Sequence, residues 1–403
     1  MDFCSLMKIL RHWLIALKRF TAIRICTKTS CRVELLLLPT LFLSIEPLRH
    51  MKNFTRDCYL RAKLIFMTNR NLTGLLFFFM LATNVTSKAQ QPANAINVVN
   101  YPQEAHFKNV RQLTFGADNA EAYWSFDSKM VSFQSNNKQW GLNCDQIFYM
   151  PVEGMDLSVA GTKPPLISTG LGRTTCSFFM PGNKTILYGS THLGGTECPV
   201  DPGRAPGGKY LWPIYDTYDI FVADLKGKIK KQLTKAPGYD AEATVSPKGD
   251  KIVFTSTRNG DLDLYSMDIN GKNVKQITNE VGYDGGAFFS PDGMKLVFRA
   301  SRPKTEEAKK EYLDYLKKGL VAPTDMEIFT CNVDGSDMKQ LTRLGKANWA
   351  PFYHPAGKKI IFSSNHKSTR GFQFNLYMIN EDGTGLEQIS YDGVFDSFPM
   401  FSP

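Results

Sequence analysis

Polar side chains recur at a constant spacing along the chain and are the first candidates for binding chemistry. One residue of each pair is Asp, Asn or Thr, and its partner lies 18 residues later. The pairs are Asn119 and Asn137, Thr174 and His192, Asp240 and Arg258, Asp284 and Arg302, and Asn348 and His366, and Asp396 stands at the next first position. Because Arg follows Asp twice, the spacing predicts a hydrogen bond or an ion pair within each repeat.

Two interpretations of these polar pairs stay open. In the first, each pair fastens a loop to its own repeat and contributes little free energy, about 0–1 kcal/mol if it is exposed. In the second, the residues form a ring at one mouth of a central channel, where a peptide or a small ligand binds. Nearby aromatic residues such as Tyr239, Tyr283 and Trp349 are expected to fill space between repeats rather than to bind a ligand.

Motifs of catalysis and of nucleotide binding are absent or incomplete. Residues 203–209 fit G-x-x-x-x-G-K, but Tyr210 replaces Ser or Thr, and Trp212 and Pro213 follow where a helix should begin. A phosphate cradle needs that helix, so we expect a plain loop. The sequence contains neither G-x-S-x-G nor H-E-x-x-H. We predict no catalytic residue, no cofactor and no metal site, with a metal between His192 and His366 as the minor alternative.

A repeated phrase must position these residues. It joins an apolar run, a Ser-Pro-x-Gly-like turn and a β-branched or aromatic run. It reads YWSFDSKMVSFQS, FFMPGNKTILYGS, TVSPKGDKIVFTS, FFSPDGMKLVFRA and FYHPAGKKIIFSS from residues 123, 178, 244, 288 and 352. A third strand-like run and a fourth ending in Gln-Leu-Thr or similar follow each copy. Four strands with a minimum period of 44 residues are typical of a β-propeller.

The number of copies gives a blade count. A sixth copy starts at Met400 and runs to Pro403. We therefore predict an all-β, six-bladed β-propeller of four-stranded blades, whose last blade is incomplete in this sequence. Such a chain should leave an open edge between the first and fifth blades, which favours aggregation. The long intervals at 191–213 and 303–324 should be surface insertions.

Two phrases of this repeat, SPKGDKIVFTS and SPDGMKLVF with the DLYSMD-like and QLT-like runs after them, resemble the TolB-like (WD-type) propeller repeats of exported bacterial proteins. The resemblance covers about 107–403. It implies a periplasmic or secreted propeller like that of the Tol-Pal envelope system, although 90–106 are too short for the α/β domain that precedes a TolB propeller. Similar repeats also occur in exported prolyl-oligopeptidase-like enzymes.

The charge is concentrated in the first 89 residues. The chain carries a formal charge of +10, yet residues 90–403 hold 34 Lys and Arg against 34 Asp and Glu. Residues 67–89 have the layout of a signal peptide, with Arg70, an apolar stretch from Leu75 to Ala82, and small residues at 87 and 89. We interpret 1–66 as a non-native upstream extension, 67–89 as a cleaved signal peptide and 90–403 as the propeller. A basic anchoring extension is the alternative for 1–66.

The expected oxidation state of the cysteines depends on this interpretation, because export leads to an oxidising compartment. Cys144, Cys176 and Cys198 are disulfide candidates, most simply as Cys144–Cys198 or Cys176–Cys198. Cys331 is expected to be a buried free thiol in a strand.

The function predicted from these observations is a non-catalytic periplasmic or secreted scaffold that binds envelope proteins or peptides. The balanced charge of 90–403 removes the case for nucleic acid. We expect a monomer without stable membrane insertion of the mature chain. The alternative is the propeller module of an exported peptidase or hydrolase whose catalytic domain is absent from this sequence.

Overall fold

The computed structural model of the chain describes residues 101–157, 161–201 and 208–403. The predicted extension at 1–66, the predicted signal peptide at 67–89 and the loop at 202–207 lie outside the described residues, so these interpretations stay predictions. The described residues form a β-propeller of five blades.

The blades follow one another along the chain and consist mainly of four antiparallel strands. Blade 1 contains β1 (Asn119–Trp124), β2 (Met130–Ser135) and β3 (Gln146–Pro151). Blade 2 contains β4 (Thr174–Phe179), β5 (Thr185–Ser190), β7 (Asp219–Asp224) and β8 (Ile229–Gln232), with β6 (Trp212–Pro213) in its insertion. Blade 3 contains β9 (Asp240–Val245), β10 (Lys251–Ser256), β11 (Asp263–Asp268) and β12 (Lys275–Gln276).

The last two blades carry the helical insertion and the end of the chain. Blade 4 contains β13 (Asp284–Phe289), β14 (Lys295–Ser301), β16 (Met326–Asn332) and β17 (Lys339–Gln340). Its insertion holds helix α1 (Glu306–Leu316) and β15 (Leu320–Val321). Blade 5 contains β18 (Asn348–Tyr353), β19 (Lys359–Ser364), β20 (Asn375–Asn380) and β21 (Glu387–Gln388). A short 3-10 helix, Lys138–Trp140, follows β2.

The Ser-Pro-x-Gly-like phrase makes the turn between the first two strands of a blade. In blade 4 the N–H of Ser290 donates to the carbonyl of Lys295, and the hydroxyl of Ser290 accepts from the N–H of Lys295. The same hydroxyl donates to Asp292 at 2.6 Å. The serine therefore closes the hairpin from its backbone and its side chain together, which explains its recurrence in the sequence.

The Gln-Leu-Thr phrase attaches the fourth strand to the third. In blade 3 the hydroxyl of Thr278 donates to Asp263 and accepts the N–H of Leu264, while the amide of Gln276 donates to the same carboxylate at 3.0 Å. Blade 2 repeats this arrangement with Thr234, Gln232 and Asp219. These bonds let a strand of only two residues hold its place at the outer edge of a blade.

The predicted number of six blades is wrong for the described residues. Residues 393–403 contain no strand, because this stretch pairs with no second strand of its own. It instead runs between blades 5 and 1: Phe395 bridges to Phe374, the indole N–H of Trp124 donates to the carbonyl of Met400, and Ser128 donates to Pro403. This contact occupies the position where an open edge was predicted. Blade 1 has three strands, and Leu166 forms only a single bridge to Phe148 in β3.

Aromatic rings from the innermost strands pack together at the centre of the propeller. The rings of Tyr123 and Phe178 in blades 1 and 2 lie 5.9 Å apart, and Phe288 in blade 4 lies 5.9 Å from Tyr123 and 5.1 Å from Phe352 in blade 5. Blades 1 and 4 are not neighbours in sequence order, so these rings pack across the axis of the propeller. Their burial supplies a common core for the blades.

The insertions of blades 2 and 4 pair with each other. Strand β6 pairs with β15 through Val321 opposite Trp212, and the N–H of Ile214 donates to the carbonyl of Gly319. Tyr312 of helix α1 donates to Asp261 of blade 3 and ties the helix to the propeller. We call residues 211–218 and 306–321 together the lid. Both insertions were predicted as surface excursions, and their pairing is a finding of the structure.

In the part of the chain that the structure describes, none of the helices has the length and hydropathy needed to cross a membrane.

Candidate functional site

The predicted Asp and Arg pairs form ion pairs inside single blades. A guanidinium nitrogen of Arg258 lies 2.9 and 3.0 Å from the two carboxylate oxygens of Asp240. Arg302 contacts both oxygens of Asp284 at 2.6 and 3.1 Å. Both aspartates are fully buried at the starts of β9 and β13. Burial raises the pKa of Asp284, and the guanidinium of Arg302 opposes that shift.

In both His-containing pairs a serine contacts the imidazole, and in blade 5 that serine also reaches the first residue of the pair. Ser364 donates to Asn348 at 2.6 Å and contacts Nδ1 of His366 at 2.9 Å. Ser190 contacts Nδ1 of His192 at 2.9 Å, whereas the hydroxyl of Thr174 donates to the carbonyl of Asp145. Each imidazole also packs on an aromatic ring of the third strand, as the two arginines do. This position of the repeat therefore fastens the loop after the second strand in chemically different ways.

The remaining predicted ring residues make local contacts. Asn137 caps the short 3-10 helix by accepting the N–H of Gln139, and Asn119 donates to the carbonyl of Gly116 at 2.7 Å. Asp396 accepts a hydrogen bond from Ser390. In the described residues no group of three or more His, Cys, Asp or Glu is arranged to hold a metal ion. The structure thus joins the predicted residues directly in blades 3 and 4 and through Ser364 in blade 5, whereas in blades 1 and 2 they bond to other groups.

A second set of repeated positions, in the innermost strands, was not predicted from the sequence. The third residue of each innermost strand, and its equivalent after Asp396, has a left-handed backbone. These residues are Glu121 (φ 55°), Cys176 (φ 45°), Glu242 (φ 56°), Gly286 (φ 60°), Ala350 (φ 47°) and Phe398 (φ 55°). In blades 1 to 5 the pairing register with the second strand shifts around this position, so each is a β-bulge. We call these six residues the bulge ring.

The bulge ring is linked by side chain to backbone bonds between neighbouring blades. Glu121 accepts the N–H of Cys176 at 3.1 Å, and Glu242 accepts the N–H of Gly286 at 2.9 Å. Glu242 also accepts hydrogen bonds from Tyr283, and it forms a buried ion pair with Arg299. A bulge leaves such an amide without a ladder partner, and the carboxylates satisfy it.

A cavity of about 180 Å³ lies between the bulge ring and the lid. Its lining includes Glu121, Glu242, Arg299, Trp212, Tyr283 and Trp349. We call it the central cavity. The indole of Trp212 from the lid lies 5.1 Å from that of Trp349 and 5.3 Å from the guanidinium of Arg299. Of the predicted ring only Thr174 lines this cavity. Of the aromatic residues expected only to fill space, Tyr239, Tyr283 and Trp349 line it, whereas Trp124 and Phe395 do not.

A larger cleft of about 730 Å³, which we call the lid cleft, is lined largely by residues of the lid. Its lining combines apolar side chains of the lid and of helix α1, among them Ile214, Tyr215 and Leu316, with the exposed Lys317 and Lys318. Tyr239 lines both this cleft and the central cavity. The two spaces therefore adjoin at one end of the propeller.

One pair of cysteines links the first two blades. Cys144, after β2, forms a disulfide with Cys198 in the insertion of blade 2, and their Cα atoms lie 5.5 Å apart. Cys176 is a free, partly exposed thiol in the bulge ring, and Cys331 is a buried free thiol in β16. Burial raises the pKa of both free thiols, so they are poor nucleophiles at neutral pH.

Comparison with known proteins agrees with the repeat and the blades. The PD40 family, described as the TolB beta propeller domain, matches residues 206–315. The chain carries a TolB-like β-propeller. A fold of this kind is suited to a binding scaffold, because its loops and channel mouths present surfaces on a rigid frame. No curated protein matches the sequence.

Solved structures similar to this TolB-like propeller include TolB proteins. A putative TolB from Agrobacterium tumefaciens is 20% identical with a TM-score of 0.47, over 68% of this chain and 80% of that one. TolB from Acinetobacter baumannii is 18% identical with a TM-score of 0.47, over 69% of this chain and 56% of that one. A structure from work on two prolyl endopeptidases is 13% identical with a TM-score of 0.40, over 66% of this chain and 34% of that one. At these values the similarity carries no argument about function.

One signal in the sequence could have revealed the bulge ring of the TolB-like propeller. The aligned third positions include Gly286 in an Asp-Gly-Gly run, and glycine in a strand often marks a bulge. The pairing of the two insertions had no such signal, since the paired residues lie more than 100 positions apart.

Proposed function

We propose that this protein is a non-catalytic scaffold that binds a peptide segment of a cell-envelope protein at the lid end of the propeller. The observation that carries the proposal is the central cavity beneath Trp212, where aromatic rings and charged groups converge. Binding sites are typically concave and largely apolar, with a few placed polar groups. The central cavity and the lid cleft together have this composition.

The frame around the central cavity supports a preformed site. The buried pairs of Asp240 with Arg258 and Asp284 with Arg302 fix the starts of β9 and β13, which Tyr239 and Tyr283 immediately precede. Rings held in this way lose little conformational entropy on binding, which favours affinity. The predicted polar ring acts here as support behind the cavity, and its Thr174 lies in the cavity wall.

The lid cleft supports an extended ligand. A cavity of 180 Å³ accommodates about one side chain, since sites for drug-sized ligands span roughly 300–1,000 Å³. The adjoining cleft of 730 Å³ offers room for the flanking residues of a peptide. A segment that places one side chain under Trp212 and its neighbours along Tyr215 would use both spaces.

We place the protein in the periplasm or outside the cell. The disulfide between Cys144 and Cys198 supports this location, because such bonds persist in oxidising compartments. The predicted signal peptide at 67–89 is a second, independent argument from the sequence. A monomer, an envelope protein or peptide as partner and the absence of nucleic acid as partner remain parts of the proposal.

The test is a binding screen with the full chain. An array of immobilised random peptides is probed with the protein, with Trp212→Ala, and with Trp140→Ala as a matched control on blade 1. The proposal expects a set of peptides that loses about tenfold or more signal with Trp212→Ala and none with Trp140→Ala. It fails if the two variants bind alike, or if the protein hydrolyses the peptides at rates typical of enzymes.

A further inference from the structure

One carboxylate of the central cavity stands apart from the others. Glu242 is paired with Arg299 and Asp145 with Arg173, whereas Glu121 forms no ion pair within the described part of the chain. The cavity lining therefore contains three carboxylates and two guanidinium groups. Glu121 is therefore the carboxylate of this lining that has no ion-pair partner among the described residues.

Glu121 is held in place and still accessible. Its carboxylate accepts the N–H of Cys176 at 3.1 Å, and the hydroxyl of Tyr123 lies 3.4 Å from the same oxygen. The residue is partly exposed and belongs to the lining of the cavity. Burial is the largest cause of a raised pKa of Glu121, and the nearby Glu242 adds to it, whereas hydrogen bonds from Cys176 and the charge of Arg299 oppose the shift. A cation placed beside Glu121 would relieve both effects.

Other atoms around the cavity are unpartnered. Trp349 and Arg299 are more than nine-tenths buried and line the cavity, and the indole N–H of one and the Nε–H of the other find no acceptor among the described residues. Gln134 also lines the cavity, and its Oε1 atom finds no donor among them. Gln134 lies in β2 opposite Ala120, next to Glu121.

These groups define a complementary ligand. A primary ammonium group has three donors and no acceptor, which suits Glu121 with Gln134 beside it. A carbonyl group has only acceptors, which suits Trp349 and Arg299. We infer that the central cavity binds a primary ammonium group of a peptide, with Glu121 as its counter-ion. This inference rests on the proposed function and specifies its ligand.

The ammonium group has two sources in a peptide, the side chain of lysine and the free amino terminus. Calorimetric titrations of the full chain with four probes separate them. Nα-acetyl-lysine amide and Nα-acetyl-norleucine amide test the side chain, and Ala-Ala amide and its Nα-acetylated form test the terminus. We expect one cationic probe to bind at least about tenfold more tightly than its neutral partner, because a buried charge-assisted bond is lost in the latter.

Two variants of the same residue then locate the effect. Glu121→Gln keeps the shape and removes the charge, and it should abolish the preference for the cationic probe. Glu121→Asp keeps the charge and should retain a preference. Glu153→Gln, an exposed control with the same change of net charge, should bind as the original protein does. A melting curve of each variant shows whether it is folded.

The outcomes separate this inference from the proposed function. Equal binding of cationic and neutral probes, or an unchanged preference in folded Glu121→Gln, overturns the inference. If arrayed peptides still depend on Trp212 in that case, the proposed function survives alone. If a cationic probe binds through Glu121 while no arrayed peptide depends on Trp212, the ammonium site stands and the peptide scaffold fails.

Discussion

The carboxylate of Glu242 accepts the backbone N–H of Gly286, 44 residues further along the chain, at 2.9 Å. The separation equals the shortest repeat, so the bond joins equivalent bulges of neighbouring blades. Glu121 and Cys176 repeat the bond between blades 1 and 2. The inner surface of the propeller is thus fixed by side chains that span blades as well as by strand pairing, and the bulges point charged groups toward the cavity.

Substitution of Gly286 by alanine should be strongly destabilising. The position has φ +60°, and an added Cβ would meet the guanidinium of Arg299 at 2.3 Å. Gly357 has φ +72° and no atom within 4 Å of an added Cβ, so Gly357→Ala measures the backbone cost alone. We expect about 1–2 kcal/mol for Gly357→Ala and about 3 kcal/mol or more for Gly286→Ala in urea unfolding. Equal losses would show that Arg299 and its network are not rigid.

The pair of Asp240 and Arg258 should contribute more than a surface ion pair. Removing the guanidinium leaves a carboxylate that is 1% exposed without its partner. Arg258→Met should cost about 2–4 kcal/mol, and adding Asp240→Asn should restore part of the loss. The exposed pair of Lys339 and Asp337 serves as comparison, where Lys339→Met should cost about 0–1 kcal/mol. A double-mutant cycle without coupling energy would refute the structural role.

Asp263 should make stability depend on pH between about 4 and 6. Burial, with Asp261 nearby, raises the pKa of Asp263 to about 6 from an ordinary value of 3.8. In this range the folded state binds more protons than the unfolded state, so stability falls as pH rises. The unfolding free energy of the original protein should decline by about 2–3 kcal/mol across this range. Asp263→Asn should remove that decline from unfolding curves measured at the same pH values. Asp382→Asn, an exposed control, should keep the original slope, and parallel profiles for all three proteins would contradict the prediction.

The disulfide should stabilise the junction of the first two blades. It closes a separation of 54 residues, and a bridge of this kind contributes about 2–4 kcal/mol. Cys144→Ser with Cys198→Ser should therefore lower the unfolding free energy by about that amount. Dithiothreitol should lower the unfolding free energy of the original protein by reducing the bridge, and it should have no such effect on the double variant. Cys176→Ser keeps the bridge, so dithiothreitol should still lower the unfolding free energy of this variant. If dithiothreitol also destabilised the double variant, another pair of cysteines would form a disulfide.

Much of the fold follows from local patterns in the sequence. The turn residues around Ser290 and the Gln-Leu-Thr phrase around Thr278 satisfy nearby backbone groups, so their spacing predicts the strands directly. The pairing of Asp240 with Arg258 follows from the hairpin between them for the same reason. Features that depend on contacts between distant segments were missed. These are the count of five blades among the described residues, the bulge ring, and the lid in which Trp212 meets Val321.

Hydrogen–deuterium exchange with a peptide selected on the array tests the central claim most directly. The account predicts that the peptide slows exchange at 211–218 and 346–350, which frame the central cavity, and leaves β12 and β17 at the outer edges unchanged. Slower exchange confined to outer strands, with the lid unaffected, would contradict binding at the mouth of the channel.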